Sequence, residues 1–372
     1  MKFSKNDTYI YSIWVKLLIL YFLMFLASAI LPFVAMFPDL GFPCYFVTLV
    51  NYSALNLTTM TTAKHLTPML FLEGPEMFTY IVYSGIVDLI SVTYYILGAI
   101  AILVLKKHIR GLTILSSWIT ILGSPTLLFM GFLKLWLVQL FVHVLSFKNI
   151  LMAAFIYALH FFLSFIYMQC YITKLSAMWH FSLSEKSITK STLLFFVTKY
   201  LNPICTNLHL SVLALEMLIF CLSIMMAIGN SFYVLVADIT LGAINLYLCL
   251  TIIWYILTEC WLHKYSRYMY GFYIGVVCTT IILVLPLLRY ENIFMESKLR
   301  NTVSINIAMI PTCAIAALIV RILRVTKTRE VPYSAIGNPL PLYNVNKPQK
   351  KLKQQHYSPP IMEESDDDEE YL

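Results

Sequence analysis

Unbroken apolar stretches of twenty residues or more recur along this chain, the first running from Leu17 to Phe37. A run of that length matches the ~20 helical residues needed to cross about 30 Å of hydrocarbon. In lipid only helices and closed barrels satisfy every backbone hydrogen-bonding group, and barrel strands alternate apolar with polar residues. No such alternation occurs here. The expected fold is therefore all-α, a polytopic bundle of transmembrane helices. Composition agrees, since 60% of the residues are hydrophobic and 12% charged, against about 25% charged in soluble domains. Too little polar surface is available to clothe a water-soluble globule of this size.

Eight spans are expected, at roughly 17–37, 77–105, 119–146, 151–173, 208–229, 233–258, 269–288 and 303–323. Residues 1–16 carry Lys2, Lys5 and Lys16 ahead of an apolar run too long for a signal-peptide core. That run reads as a retained signal anchor. The fifth and sixth spans are joined by a tight turn placed at Gly229-Asn230-Ser231, so they should form an antiparallel hairpin. Orientation follows from lysine and arginine. With the N-terminus inside, twenty of the 26 fall on inside segments and five outside, and Lys134 lies within a span. That bias places both ends in the cytoplasm, which an even number of spans requires. The first loop, about 38–76, is the only sizeable outside segment.

The first loop holds the sequons Asn51-Tyr52-Ser53 and Asn56-Leu57-Thr58, on the side where glycosylation occurs. Asn6-Asp7-Thr8 matches the same pattern but belongs to the cytosolic end. Of eight cysteines, seven fall within spans or on the cytoplasmic side, where disulfides are rare. Cys44 alone lies in the outside loop. An odd extracytoplasmic cysteine points to intermolecular pairing; the other reading is a half-buried thiol beside Pro43. From residue 324 the chain becomes basic, then polar and proline-punctuated, and ends acidic. Such a segment buries too little apolar surface to offset its ordering entropy and should be disordered. Within it, Tyr333-Ser334-Ala335-Ile336 fits the Tyr-x-x-apolar pattern read by clathrin adaptors. Ser365 sits in an acidic cluster of Glu363, Glu364, Asp366, Asp367, Asp368, Glu369 and Glu370. That context suits acidophilic kinases, and phosphorylation would add about −1.5 to −2 charge.

Asp88, Lys134, His143, His160, Glu216 and Asp238 are placed at membrane depth, with Glu259 near a helix end. A charge at a helix centre costs about 2.5–3.5 kcal/mol on insertion scales, so such residues invite a functional reading. The structural reading, favoured here, is pairing inside the bundle or snorkelling from the ends. The competing one is a small-solute or ion transporter using Asp88, Lys134, Glu216 and Asp238. No Gly-rich phosphate loop, His-Glu-x-x-His, Gly-x-Ser-x-Gly or carboxylate pair of a soluble site occurs, so no enzyme, metal or cofactor is expected. Nor does any feature mark a nucleic-acid partner. Outside loops hold five basic and five acidic residues, a balance that gives no field for steering a polyanion.

Phe37-Pro38-Asp39-Leu40-Gly41-Phe42-Pro43-Cys44 and His65-Leu66-Thr67-Pro68-Met69-Leu70-Phe71-Leu72-Glu73 resemble the first lumenal loop of herpesvirus glycoprotein M, with the betaherpesvirus branch looking nearest. The likeness extends to Gln139, Ala158-Leu159-His160-Phe161-Phe162, Gly229-Asn230-Ser231-Phe232, Tyr270-Gly271-Phe272-Tyr273, Pro286, Tyr290-Glu291 and the acidic end. The resemblance implies eight spans and a disulfide from the position of Cys44 to glycoprotein N, a small single-span protein. It implies roles in virion assembly, secondary envelopment and egress, and in some members attachment to heparan sulfate. With charge-balanced loops, any such binding should come from the partner. Sorting by host adaptors, contact with tegument proteins at the tail, and residence in the virion envelope, trans-Golgi network, endosomes and inner nuclear membrane are implied likewise.

Overall fold

The computed structural model describes residues 5–34, 72, 74–106, 118–119, 122–147, 149–180, 193–262, 266, 269–289 and 297–329. Almost all of these are helical, and eight helices are long and apolar enough to cross a membrane. They are α1 (Lys5–Val34), α2 (Gly74–Lys106), α3 (Pro125–Ser146), α4 (Ile150–His180), α5 (Leu193–Phe232), α6 (Val236–Trp261), α7 (Gly271–Arg289) and α8 (Ser297–Arg329). The number and order of spans match expectation; several boundaries move. Residues 1–326 form one compact unit. Residues 327–372 form a second, of which only the last turn of α8 is described.

The third span starts later than its apolar run. Ser124 accepts a hydrogen bond from the Leu127 amide at 3.2 Å, and Pro125 opens the helix. A capping serine followed by proline at the first helical position is a strong start signal, so the chain breaks at Gly123-Ser124. A break strands backbone carbonyls in a place where lipid cannot satisfy them. Two buried side chains take them up. The Trp14 indole of α1 donates to Gly123 O at 2.8 Å, and the Tyr94 hydroxyl of α2 donates to Leu122 O at 2.9 Å.

The fifth span is longer than the apolar core 208–229, because α5 extends back to Leu193 through a π turn at Val197–Leu201. Pro203 follows at once. Its ring would strike the carbonyl four residues back in a regular α turn and it offers no N–H, which the wider i→i+5 turn accommodates. At the other end α5 runs through Gly229-Asn230-Ser231, and the hairpin turn lies at Tyr233-Val234-Leu235. Tyr233 takes the left-handed conformation (φ 54°), and Val234 N–H donates to Gly229 O at 3.0 Å. Gly229 serves instead as a contact point, since a Cβ there would meet Ile239 Cδ1 at 2.2 Å.

α5 is the hub, packing against α2, α4, α6 and α7, while α3 packs on α1 and α4. Backbones approach closely where α7 begins: a Cβ on Gly271 would fall 1.7 Å from Asn207 O, and one on Gly275 2.2 Å from Ser211 O. Small residues at such crossings let van der Waals contact replace the hydrophobic drive that lipid removes. α8 is peripheral, with 22% of its apolar window buried against 78% for α5.

Candidate functional site

Four of the intramembrane residues named from sequence converge at the centre of the bundle. On α2, Ser84, Asp88 and Ser91 recur at i, i+4 and i+7 and so share one helix face. Lys134 comes from α3, His160 and Ser164 from α4, and His209 and Glu216, again seven apart, from α5. All are buried. Lys134 Nζ lies 2.9 Å from Glu216 Oε1, and His160 Nε2 lies 3.3 Å from the same oxygen. A carboxylate only accepts, so Nε2 is the donor, and His160 Nδ1 is left buried with no partner among the described residues. His209 Nε2 is 2.6 Å from Ser91 Oγ, whose hydroxyl also reaches Val87 O. Lys134 Nζ stands 6.0 Å from the centre of the Tyr167 ring.

Asp88 belongs to this cluster electrostatically but is not in an ion pair among the described residues; Ser84 lies beside its carboxylate, and Lys134 is taken by Glu216. Asp88 and Lys134, with Ser28, Ser84 and Gln139, are polar residues that line a cavity of about 240 Å³ between α1, α2 and α3. No group of three or more metal-ligating side chains occurs among the described residues.

His143 and Asp238 do not join them. His143 sits in the last turn of α3 and Asp238 in the first turn of α6, both exposed. Their placement at membrane depth is corrected: each is close enough to a helix end to reach the interface. Glu259 is corrected in the opposite sense. It lies in a π turn, Leu257–Trp261, and is held inward rather than snorkelling. Glu259 Oε1 accepts from Arg321 Nε at 2.6 Å and from the Tyr273 hydroxyl at 2.8 Å, and Oε2 from Arg324 Nη1 at 3.0 Å. Arg321 also bonds Met269 O and stacks 5.0 Å above the Tyr273 ring. This knot ties peripheral α8 to α6 and α7.

Sequence reasoning missed His209 and Arg321. A signal for the first exists: Asn202, Thr206, His209, Glu216 and Ser223 recur along one face of α5. From sequence Arg321 reads as the first of the basic residues, with Arg324, Lys327 and Arg329, that open the tail. Cys44, Asn51, Asn56, Tyr333, Ile336, Ser365 and the acidic cluster from Glu363 to Glu370 all lie outside the described residues. No disulfide links any of the seven cysteines that are described.

Eight membrane-capable helices around a fully buried ionic centre define a polytopic α-helical membrane protein. Comparison with known proteins narrows the class. The family model for herpesvirus glycoprotein M matches residues 7–336, and the chain belongs to that family. It is 53% identical over 369 residues to envelope glycoprotein M of alcelaphine herpesvirus 1, covering 99% of both chains. Identity to envelope glycoprotein M of Epstein–Barr virus (strain B95-8) is 50% over 328 residues, 88% of this chain and 81% of that one. To envelope glycoprotein M of saimiriine herpesvirus 2 it is 47% over 370 residues. These relatives are gammaherpesviral, which corrects the expected betaherpesvirus affinity. The loop motifs mark the family and are too short to separate its branches. No solved structure matches.

Proposed function

We propose that this chain is the multi-pass half of a disulfide-linked envelope complex, joined through Cys44 to a small single-span partner of the glycoprotein N type. It acts in virion assembly, secondary envelopment and egress. The observation that carries the reading is family membership across residues 7–336, joined to the single cysteine in the only sizeable outside loop. Its relatives are named as envelope glycoproteins, which supports a non-enzymatic role. Both termini face the cytoplasm, and the tail carries the sorting information, Tyr333 and Ile336 for adaptors and the acidic cluster around Ser365 for retrieval to trans-Golgi and endosomal membranes. Asn51 and Asn56 are the glycan acceptors. The test is gel mobility of the chain from infected cells, with and without reductant, beside Cys44→Ser. A heavier band that reductant or the substitution removes supports the covalent complex. A reductant-insensitive monomer in both lanes defeats it.

A transport role is the competing reading, because Asp88, Lys134 and Glu216 do come together. Against it, the pair at 2.9 Å already satisfies Lys134, and Asp238 lies apart. Solute flux in vesicles that Asp88→Asn abolishes without loss of folded protein would favour the transporter.

A further inference from the structure

Among the described residues of the central cluster, Asp88 is the carboxylate that no ion pair takes up. Lys134 is spent on Glu216, His160 faces that same Glu216 oxygen, and His209 faces Ser91. Asp88 is nonetheless 95% buried, and it lines the cavity bounded by Phe25 and Ser28 of α1, Gly85 of α2, and Lys134 and Val138 of α3. Gly85 adds an independent sign of room, for a Cβ there would meet no heavy atom within 4 Å. Beside it Val82, Ile86 and Leu89 present apolar surface outward, 38–50% exposed.

Depth selects the occupant. Asp88 lies twelve residues past Glu76, where the α2 span begins, which at about 1.5 Å per residue is roughly 18 Å along the helix. The hydrocarbon core is about 30 Å thick, so Asp88 sits near its middle. Lipid headgroups and sterol hydroxyls are held at the interface and acyl chains carry no donor. A hydrogen-bond donor at that depth has to be carried by a spanning helix.

We propose that the groove between α1, α2 and α3 seats a partner's single transmembrane helix, which sets a donor side chain (Ser, Thr, Asn, Gln, Lys or Arg) against Asp88 and a small residue over Gly85. This deepens the anchoring role proposed above and rests on it for the partner's identity. A cavity of 240 Å³ takes one or two side chains of such a helix, whose backbone rides on Val82, Ile86 and Leu89. Cys44 is ten residues beyond the end of α1, one wall of the groove. Ten residues reach at most about 33–36 Å, so one partner can occupy the groove and bond Cys44 together.

The experiment uses the full-length chain in infected cells with a photo-crosslinking residue at Ile86 in the groove, or at Ile253 or Ile281 on exposed faces of α6 and α7. The expected result is a reductant-resistant product from Ile86 alone, containing the small protein found in the Cys44 band. Asp88→Leu and Gly85→Leu should each lower its yield, Asp88→Leu by roughly five- to thirtyfold for one interhelical hydrogen bond. Both variants should leave the isolated chain folded, because Leu at 88 removes a buried carboxylate that has no ion-pair partner among the described residues and Leu at 85 enters open space. Equal crosslinking from all three positions, no protein crosslink from Ile86, or a crosslink to a second copy of the chain overturns the proposal. A Cys44 band that persists without an Ile86 product leaves the covalent anchor standing and defeats the groove. An Ile86 product to a small single-span protein, sensitive to Asp88→Leu but with no Cys44 band, upholds the groove and defeats the covalent reading.

Discussion

The Lys134–Glu216 pair should behave as the ionic keystone of the bundle, and the two halves should not be equivalent. Both side chains are at least 95% buried and 2.9 Å apart, so removing either leaves a charge that water cannot reach. Losing one partner of a buried ion pair costs about 3–5 kcal/mol, or a fall of roughly two to nearly four decades in the folded-to-unfolded ratio at about 1.36 kcal/mol per decade. Glu216→Gln leaves Lys134 with Asp88 as a remaining counter-ion, which places its cost at the lower end, about 3 kcal/mol. Lys134→Met leaves two buried carboxylates, Asp88 and Glu216, with no lysine or arginine paired to either among the described residues, which places it at the upper end, about 5 kcal/mol. The double variant Lys134→Met, Glu216→Gln removes both charges. Replacing a whole buried pair by neutral groups is often close to neutral, so the double should be more stable than the Lys134→Met single, with a coupling energy of about 3 kcal/mol or more. The assay is reversible unfolding in mixed micelles of rising denaturing-detergent fraction, read as a double-mutant cycle. Single costs below about 1 kcal/mol, or a double equal to the sum of the singles, would show that the pair carries no such burden and refute the reasoning.

Other perturbations test the packing and its ends. Gly275→Ala should destabilise by about 1–3 kcal/mol, since the new methyl meets Ser211 O at 2.2 Å and overpacking forces the backbone apart. Gly85→Ala, with open space around it, should stay within about 0.5 kcal/mol; thermal melts of the two variants in one detergent check the contrast. Trp14→Phe removes the donor to Gly123 O and should cost about 1–3 kcal/mol for an unsatisfied buried carbonyl, read in the same melts. Arg321→Met should loosen α8 selectively, because α8 is shallowly buried and held by the Glu259 knot. Hydrogen exchange should rise across 299–326 while α5 peptides stay protected. A uniform rise would assign Arg321 a global role instead.

Much of this architecture is legible from residue order, and the parts that are not fail for physical reasons. Span count and the α5–α6 hairpin follow from apolar length. Turn-forming residues point to a turn at Gly229-Asn230-Ser231, yet Gly229 is needed for contact with Ile239 and the left-handed position falls to Tyr233. The start of α3 was readable in Ser124-Pro125 but hidden by the apolar Trp118, Ile119 and Leu122 before it. Charge at membrane depth is a weak guide by itself, since it groups Asp88 and Glu216 with Asp238. What separates them is distance from the helix end and the face on which each lies. Arg321 escapes because apolarity ends near 323, while the helix continues to Arg329 and turns that arginine back toward Glu259. The residues of the expected disulfide, glycans and tail signals lie outside the described residues.

The interior is specified less by apolar shape than by paired polar groups. Among the described residues eight of the nine largest fully buried side chains are tyrosines, and four of their hydroxyls pair across helices: Tyr80 with Tyr157 at 2.9 Å, and Tyr95 with Tyr171 at 2.6 Å, both joining α2 to α4. Tyr167 extends the second pair by donating to Tyr171. Between helices in lipid, apolar contact discriminates poorly because the tails outside are as apolar as leucine inside. Hydroxyl and ion pairs fix which helix faces which, since each wrong register strands a donor or an acceptor. By that logic a matched interior declares itself closed, and an unmatched group marks where assembly is incomplete. Lys134, Glu216, Ser91 and the linked tyrosines are matched within the bundle; among the described residues His160 Nδ1 is unmatched but fully enclosed, whereas the Asp88 carboxylate, bonded by Ser84 and without an ion-pair partner, opens to the groove between α1, α2 and α3.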